Sequence, residues 1–347
     1  MLQLQELDLH VTNKCMLACK HCCFDAGEKM LPELKKERWM QILKQGKNLG
    51  VKDIDITGGE PLLYKGLDHL INYAVNLEYN VTLQTNGILF NRSRRKELKA
   101  RGLKNVMISI DGWEKSHNWL RGFNSFQQAK SNIEEAIEEG WTIRVNAVAM
   151  KSTFKSIPTL ISWADKTGIP LVSIFFFTPQ GRGESILNEE LEYKQWEEFI
   201  ISLQSQVSHL QQTHVIVEPS VGPLGGLIEA IKCPMYYRGY LQVLCDGRAY
   251  PCTMLIFSDL YLADLSCESL SHCLEESRWS KLTKSIDDIV DDSDECKGGC
   301  IGYSTWLTGK LGIDPRCQVF EKGTFPICPL VKIDLSKNKK ALRSGLL

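Results

Sequence analysis

Short apolar runs alternate with longer segments of helical periodicity from residue 5 to about residue 217. Leu4–Val11 alternates as a half-buried strand does, and Val51–Thr57, Val81–Thr85, Val106–Ile110, Trp141–Met150 and Leu171–Phe177 are further strand-like runs. Between them, Trp39, Ile42, Leu43 and Leu49 fall near helical spacing over 34–49, and a helix is expected near 66–78. Phe126, Ala129, Ile133 and Ile137 mark another helix, residues 155–167 a further one, and Trp196, Phe199, Ile200, Leu203, Val207 and Leu210 share one face of the clearest. The basic stretch 91–101 reads as a helix whose charges form a solvated face. Six strand–helix units in succession predict an α/β fold with a parallel sheet and right-handed crossovers. Any site then belongs in the loops at the carboxyl ends of the strands.

The pattern breaks at 218–232, where Pro219 and Pro223 stand among glycines. This is the expected linker between a first domain at 1–217 and a second at 233–330, with a basic tail at 331–347. The second segment holds nine of the thirteen cysteines and little helical periodicity, so a metal is expected to staple a thin apolar core. A formal net charge of −1 gives no electrostatic reason to expect nucleic acid or a membrane surface as partner. The amino-terminal stretch lacks a basic start followed by an apolar core, and no apolar run approaches the ~18 residues of a membrane span. The cysteines of such a chain point to metal or redox chemistry in a reducing, cytoplasmic compartment rather than to disulfides.

The first strand runs into Cys15-Met-Leu-Ala-Cys19-Lys-His-Cys22. Soft thiolates select zinc, copper(I) or iron–sulfur clusters. Zinc sites ordinarily take four protein ligands, whereas three cysteines leave one iron of a cubane open. The second strand ends in Gly58-Gly59-Glu60-Pro61, where two glycines let a ligand lie against the backbone and proline fixes the turn. Ser109-Ile-Asp111-Gly112 closes the fourth strand, followed by His117 and Arg121-Gly122. An arginine can clasp a carboxylate in bidentate fashion, and a serine hydroxyl can add a hydrogen bond. Thr85-Asn86-Gly87 and Asn146 stand at the ends of the third and fifth strands. The plainer readings are buried thiols, a tight turn at 58–61, a surface ion pair at Arg121 and a core amide at Asn146.

In their order and placing these motifs resemble those of the radical S-adenosylmethionine (radical SAM) enzymes. The resemblance implies a partial (β/α)6 TIM-like barrel and a [4Fe-4S] cluster on Cys15, Cys19 and Cys22 whose open iron binds SAM. It implies one-electron cleavage of SAM to a 5′-deoxyadenosyl radical that takes hydrogen from a substrate. The implied SAM contacts are His21, Phe24, Gly58, Gly59, Glu60, Thr85, Asn86, Ser109, Asp111, Arg121 and Asn146, with the carboxylate at Ser109 and Arg121. His21 is also an available fourth ligand for zinc. Asp111 either reaches the ribose or caps the following turn, and His117 is expected to be structural.

Cys233, Gly247 and Cys252 resemble the opening of the SPASM or shorter Twitch domains, which hold auxiliary clusters. Cys296-Lys-Gly-Gly-Cys300 and Asp314-Pro-Arg-Cys317 resemble later parts of that pattern. Asp287 and Val290 stand where the full SPASM pattern has a CxxC. The resemblance therefore implies one auxiliary iron–sulfur cluster with Cys233, Cys252, Cys296, Cys300 and Cys317 as candidate ligands. A second would need substitutes among Cys245, Cys267, Cys273 and Cys328, and buried or free thiols are the preferred reading of Cys267 and Cys273. The implied substrate is a ribosomally made peptide or protein side chain, to be oxidised, cross-linked or epimerised, with a flavodoxin- or ferredoxin-type electron donor. The first strand begins almost at residue 4, which leaves no room before it for a peptide-recognition domain and keeps tetrapyrrole or sugar/aminocyclitol chemistry as the alternative. Thr253, where sulfatase-maturing relatives have aspartate, speaks against that activity. An epimerase would need a thiol to return hydrogen, with Cys245 and Cys23 as candidates, although Cys23 reads first as core. A zinc-stabilised interaction protein and a pure electron carrier are the distant alternatives.

Overall fold

The computed structural model describes residues 4–218, 239–280 and 300–308. The six expected strands are present as β1 Glu6–His10, β2 Asp53–Thr57, β3 Asn80–Thr85, β4 Asn105–Ser109, β5 Thr142–Ala149 and β6 Leu171–Phe176. A seventh, β7 His214–Glu218, is one more than the sequence pattern predicts. It is five residues long and abuts the linker, so its Val215/Val217 alternation is easily absorbed into the boundary. β1 to β7 pair in chain order, each parallel to the next.

The other edge of β1 takes β8 Tyr240–Val243, also parallel, and β9 Arg248–Tyr250 and β10 Ala263–Asp264 then add antiparallel. The segment after the linker thus begins by extending the same sheet. β7 and β10 are its edges, which makes the barrel a partial one.

Helices α1 Lys36–Asn48, α2 Leu67–Asn76, α3 Arg92–Ala100, α4 Glu114–Arg121, α5 Ser125–Glu138, α6 Ile157–Thr167 and α7 Tyr193–Val207 intervene between the strands. α8 Ile301–Thr308 lies in the last described stretch. Along each strand alternate residues face opposite sides. Leu7, Leu9, Ile54, Ile56, Ile143 and Val145 join Trp39, Ile42, Leu43, Phe126 and Ile133 in one core between sheet and helices. The positions between them, such as Asp8, Asp55, Ser109 and Arg144, form a polar interior face.

α3 departs from the expected solvated face. Arg95 is fully buried and clips α3 to α5, with Nε and Nη2 on Glu139 (2.8 and 2.9 Å), Nη2 also on Glu135 (2.7 Å) and Nη1 on the Phe90 carbonyl (2.8 Å). A guanidinium is buried at tolerable cost only when paired in this way. Among the described residues no helix is long and apolar enough to cross a membrane.

Candidate active site at the strand ends

The loop after β1 is folded around Asn13. Its side-chain oxygen faces His10 Nε2 at 2.9 Å, its amide donates to the carbonyls of Phe24 (3.3 Å) and Lys29, and its own carbonyl accepts from Gly27 N (2.8 Å). The loop lies directly on the end of β2, where Gly59 N donates to Thr12 O (2.7 Å) and Glu60 N to Lys14 O (2.8 Å). A Cβ on Gly58 would stand 2.7 Å from Thr12 O, and one on Gly59 would collide with Lys14 O. The two glycines, expected to make room for a ligand, are required first by the cysteine loop itself.

From the far side the turn after β6 closes on the same loop. Arg182 donates from its backbone to Cys22 O (3.1 Å), from Nε to Cys19 O (3.0 Å) and from Nη1 to Ala26 O (2.9 Å). Gly181 precedes it at φ +56°, where a Cβ would meet Cys22 O at 2.7 Å. The sequence reading did not single out this clasp. Its signal was the run Gln180-Gly181-Arg182-Gly183 directly beyond a strand's carboxyl end.

Cys19 is buried, and Cys15 and Cys22 are half-buried. Burial pushes the Cys15 thiol up and that of Cys19 up to about 12; Cys22 adds to both, while Arg121 opposes the rise. Cys22 and Arg121 thus lie within electrostatic reach of both other thiols. A bound metal centre would reverse the balance by stabilising the thiolates. Among the described residues no three His, Cys, Asp or Glu side chains gather closely enough for a single metal ion. A cluster spreads its ligands over several metal atoms, and three soft thiols suit it.

Glu60 turns inward. Its Oε1 accepts from Thr85 Oγ1 (2.7 Å) and Leu62 N (3.1 Å), and its Oε2 from Asn86 N (3.0 Å), which ties the ends of β2 and β3 together. Burial nevertheless pushes its carboxyl up. Thr85 accepts in turn from Gly87 N (3.1 Å), and the Asn86 amide meets Met16 Sδ at 3.2 Å.

Asp111 is fully buried, its Oδ2 accepting from Arg121 Nε (2.5 Å) and its Oδ1 from Val148 N (2.8 Å). Burial would raise its pKa, but Arg121, His21 and His117 outweigh that and hold it at about 2. The structure thus uses Asp111 to position Arg121, with its second oxygen on the β5 backbone. His117 is structural as expected: its Nδ1 accepts from Asp111 N (3.1 Å) and its ring packs edge-on against Phe126.

Several polar groups at this rim are unmet. Arg121 Nη2 lies 3.4 Å from His21 Nε2, leaving Nη1 without a hydrogen bond among the described residues. His21 Nδ1 and Asn146 Oδ1 are buried without partners. The Ser109 hydroxyl, beside Asn146 in the β4–β5 register, also has none among the described residues. Buried unmet polar groups call for a ligand. Phe24 also packs within the protein. It stacks on His10 with ring centroids 4.1 Å apart and packs against Leu244, Tyr250, Leu255 and Ile256, joining the cysteine loop to the later chain.

In that later chain Cys252 opens the turn Thr253–Leu255, its sulfur accepting from Met254 N (3.4 Å). Cys300 accepts from Tyr303 N (3.3 Å) at the start of α8. α8 rests on the Cys252 turn, where a Cβ on Gly302 would collide with Met254. Two candidate auxiliary ligands therefore lie on contacting elements; Cys233, Cys296, Cys317 and Cys328 fall outside the described residues. Cys267 is exposed and Cys273 is core. Cys245 is fully buried, its thiol pushed up to about 12 by burial, whereas Cys23 lies within electrostatic reach of Asp8 in the barrel interior.

Cys15, Cys19, Cys22 and Arg121 thus stand together at the carboxyl-end rim of a parallel partial barrel. Residues 9–164, a little under half of the chain, match the family model of the radical SAM superfamily. Fe-coproporphyrin III synthase of Methanosarcina barkeri is 29% identical over 184 residues, 52% of this chain and 46% of its own length. A probable GTP 3′,8-cyclase of Methanopyrus kandleri is 29% identical over 262 residues, 73% of this chain and 82% of its own. The sporulation killing factor maturation protein SkfB of Bacillus subtilis is 30% identical over 161 residues, 46% of this chain and 39% of its own. The chain thus spans less than half of the first and third of these. Among solved structures, anSMEcpe with bound AdoMet and the Cp18Cys peptide shares the fold at a TM-score of 0.73 and 20% identity, covering 92% of this chain and 95% of that one.

Proposed function

We propose that this chain reductively cleaves SAM and uses the resulting radical to modify a ribosomally made peptide or protein side chain. The observation that carries the reading is the joint placing of Cys15, Cys19 and Cys22 with the open nitrogen of Arg121 and the unmet groups of Ser109 and Asn146. When bound, the cluster and SAM supply the electron and the carbon-centred radical; the protein's part is orientation and exclusion of water. Arg121, fixed by Asp111, offers its free nitrogen to the SAM carboxylate, and Ser109 adds a hydroxyl. Glu60 fixes the ends of β2 and β3 from below, and Arg182 and Gly59 fix the loop that holds the thiols.

Cys252 and Cys300 support an auxiliary cluster in the later chain, completed by cysteines among Cys233, Cys296 and Cys317. The peptide reading draws on the similarity to SkfB and on the peptide held by the structural neighbour. The similarity to Fe-coproporphyrin III synthase keeps a small molecule, a tetrapyrrole above all, as the second reading. A flavodoxin or ferredoxin in the cytoplasm completes the proposal as electron donor. Cys19→Ala should abolish 5′-deoxyadenosine formation by the reconstituted enzyme under dithionite, and formation at the wild-type rate would overturn the assignment.

A further inference from the structure

The interior of the barrel is polar, but its two sides are not alike. On the β1/β2 side the acids have donors of their own. Gln84 Nε2 donates to Asp55 (2.5 Å), and Gln242 Nε2 and the Tyr240 hydroxyl donate to Asp8 (3.1 and 3.3 Å). On the β5/β6 side the reverse holds. Arg144 lies on the same face of β5 as Asn146, one step further from the rim. Its register neighbours are Met107 on β4 and Leu171 on β6, neither of which can accept a hydrogen bond from its guanidinium through a charged or amide group.

Among the described residues Arg144 makes no hydrogen bond or ion pair, and its Nε is buried without a partner. Beside Asn146 on β6 stands Ser173, 2% exposed, its hydroxyl likewise without a partner among the described residues. Arginine is rarely enclosed unless paired. Asp55 feels the Arg144 charge only at a distance, since its carboxylate is already engaged by Gln84.

We propose that Arg144, with the Ser173 hydroxyl beside it, anchors a carboxylate that the substrate carries into the barrel. A guanidinium fork matches a carboxylate in shape and charge, and a hydroxyl adds a neutral donor. A single guanidinium with no carboxylate in contact suits one substrate carboxylate rather than the several charges of a polyphosphate. The inference rests on the proposed radical SAM function and sharpens it: the substrate is a carboxylic acid, either an acidic or carboxyl-terminal residue of a peptide or a propionate of a tetrapyrrole.

The test uses the reconstituted, SAM-loaded holoenzyme and two pairs of probes. One pair is a capped pentapeptide with a central glutamate and its glutamine counterpart; the other is coproporphyrin III and its methyl ester. Wild-type protein should bind the acid of one pair at least about tenfold more tightly than its neutral partner. Arg144→Gln should erase that preference, and Arg144→Lys should keep part of it. Which pair shows the effect tells peptide from tetrapyrrole. No acid preference in either pair, a preference that survives Arg144→Gln, or loss of SAM binding in that variant would each overturn the proposal. Failure of the radical SAM reading looks different: the wild type would bind no SAM while the Arg144-dependent preference persisted.

Discussion

The loop carrying Cys15, Cys19 and Cys22 is gripped by backbone from the ends of β2, α4 and β6, including Gly59 N to Thr12 O, Lys20 N to Leu120 O and Arg182 N to Cys22 O. The turn carrying Cys252 is held by side chains instead. Thr253 donates to Gln242 (2.8 Å), Gln180 donates to Met254 O (2.8 Å), and the Tyr303 hydroxyl of α8 reaches Glu190 (2.7 Å). Main-chain contacts depend on how closely two backbones can approach, so the first region should be vulnerable at its glycines. The second should be vulnerable at its polar side chains, with Gly302 against Met254 its one close glycine contact among the described residues.

The strongest blow to the first region is Gly59→Val, whose side chain must displace the Lys14 carbonyl. Overpacking against backbone costs about 3 kcal/mol or more. The variant should lose the iron held by the amino-terminal cysteines, read as iron and sulfide content beside a Cys15/Cys19/Cys22→Ala protein, and full iron loading would contradict the account. Next comes Asp111→Asn. The Asp111 pKa is about 2 against an ordinary 3.8, so its charge contributes about 2 kcal/mol. That contribution is complete above pH ~4 and disappears as the pH falls through about 2, because the unfolded chain takes up the proton first. Acid unfolding curves of wild type and variant should differ by that amount at neutral pH and converge toward pH 2, with SAM affinity weakened at neutral pH. The smallest effect is expected for Tyr303→Phe, about 1 kcal/mol for one hydrogen bond. It should loosen α8 while leaving SAM binding intact; an equal loss of SAM affinity would mean that the two regions are not held separately.

The thiols and the strand-end motifs were legible in the sequence because their chemistry is written in residue type and spacing. The role of Asp111 was not, since its partners Arg121 and Val148 are set by the packing of α4 and β5. Gly58 and Gly59 were legible as close-approach positions, but what approaches them is a loop more than forty residues earlier, Thr12 and Lys14. Arg144 was hidden by the usual reading of alternation. Polar positions in a half-buried strand are read as facing solvent, and in a barrel that same face becomes the interior. Arg95 was hidden in the same way, inside a basic run that looks solvated until Glu135 and Glu139 are brought across from α5.

β1 lies between β2 and β8, and its second neighbour is a strand more than two hundred residues later. A chain emerging amino end first therefore carries the complete CxxxCxxC loop on a strand with one bare edge, which stays unpaired until Tyr240–Val243 arrives. Contacts so distant in sequence form late and slowly, and a bare parallel edge invites wrong pairings meanwhile. The loop's grip from Arg182 also waits for β6. Metal delivered to the three thiols during synthesis would meet a half-built receptacle, so the order of events favours chain closure first and cluster loading afterwards.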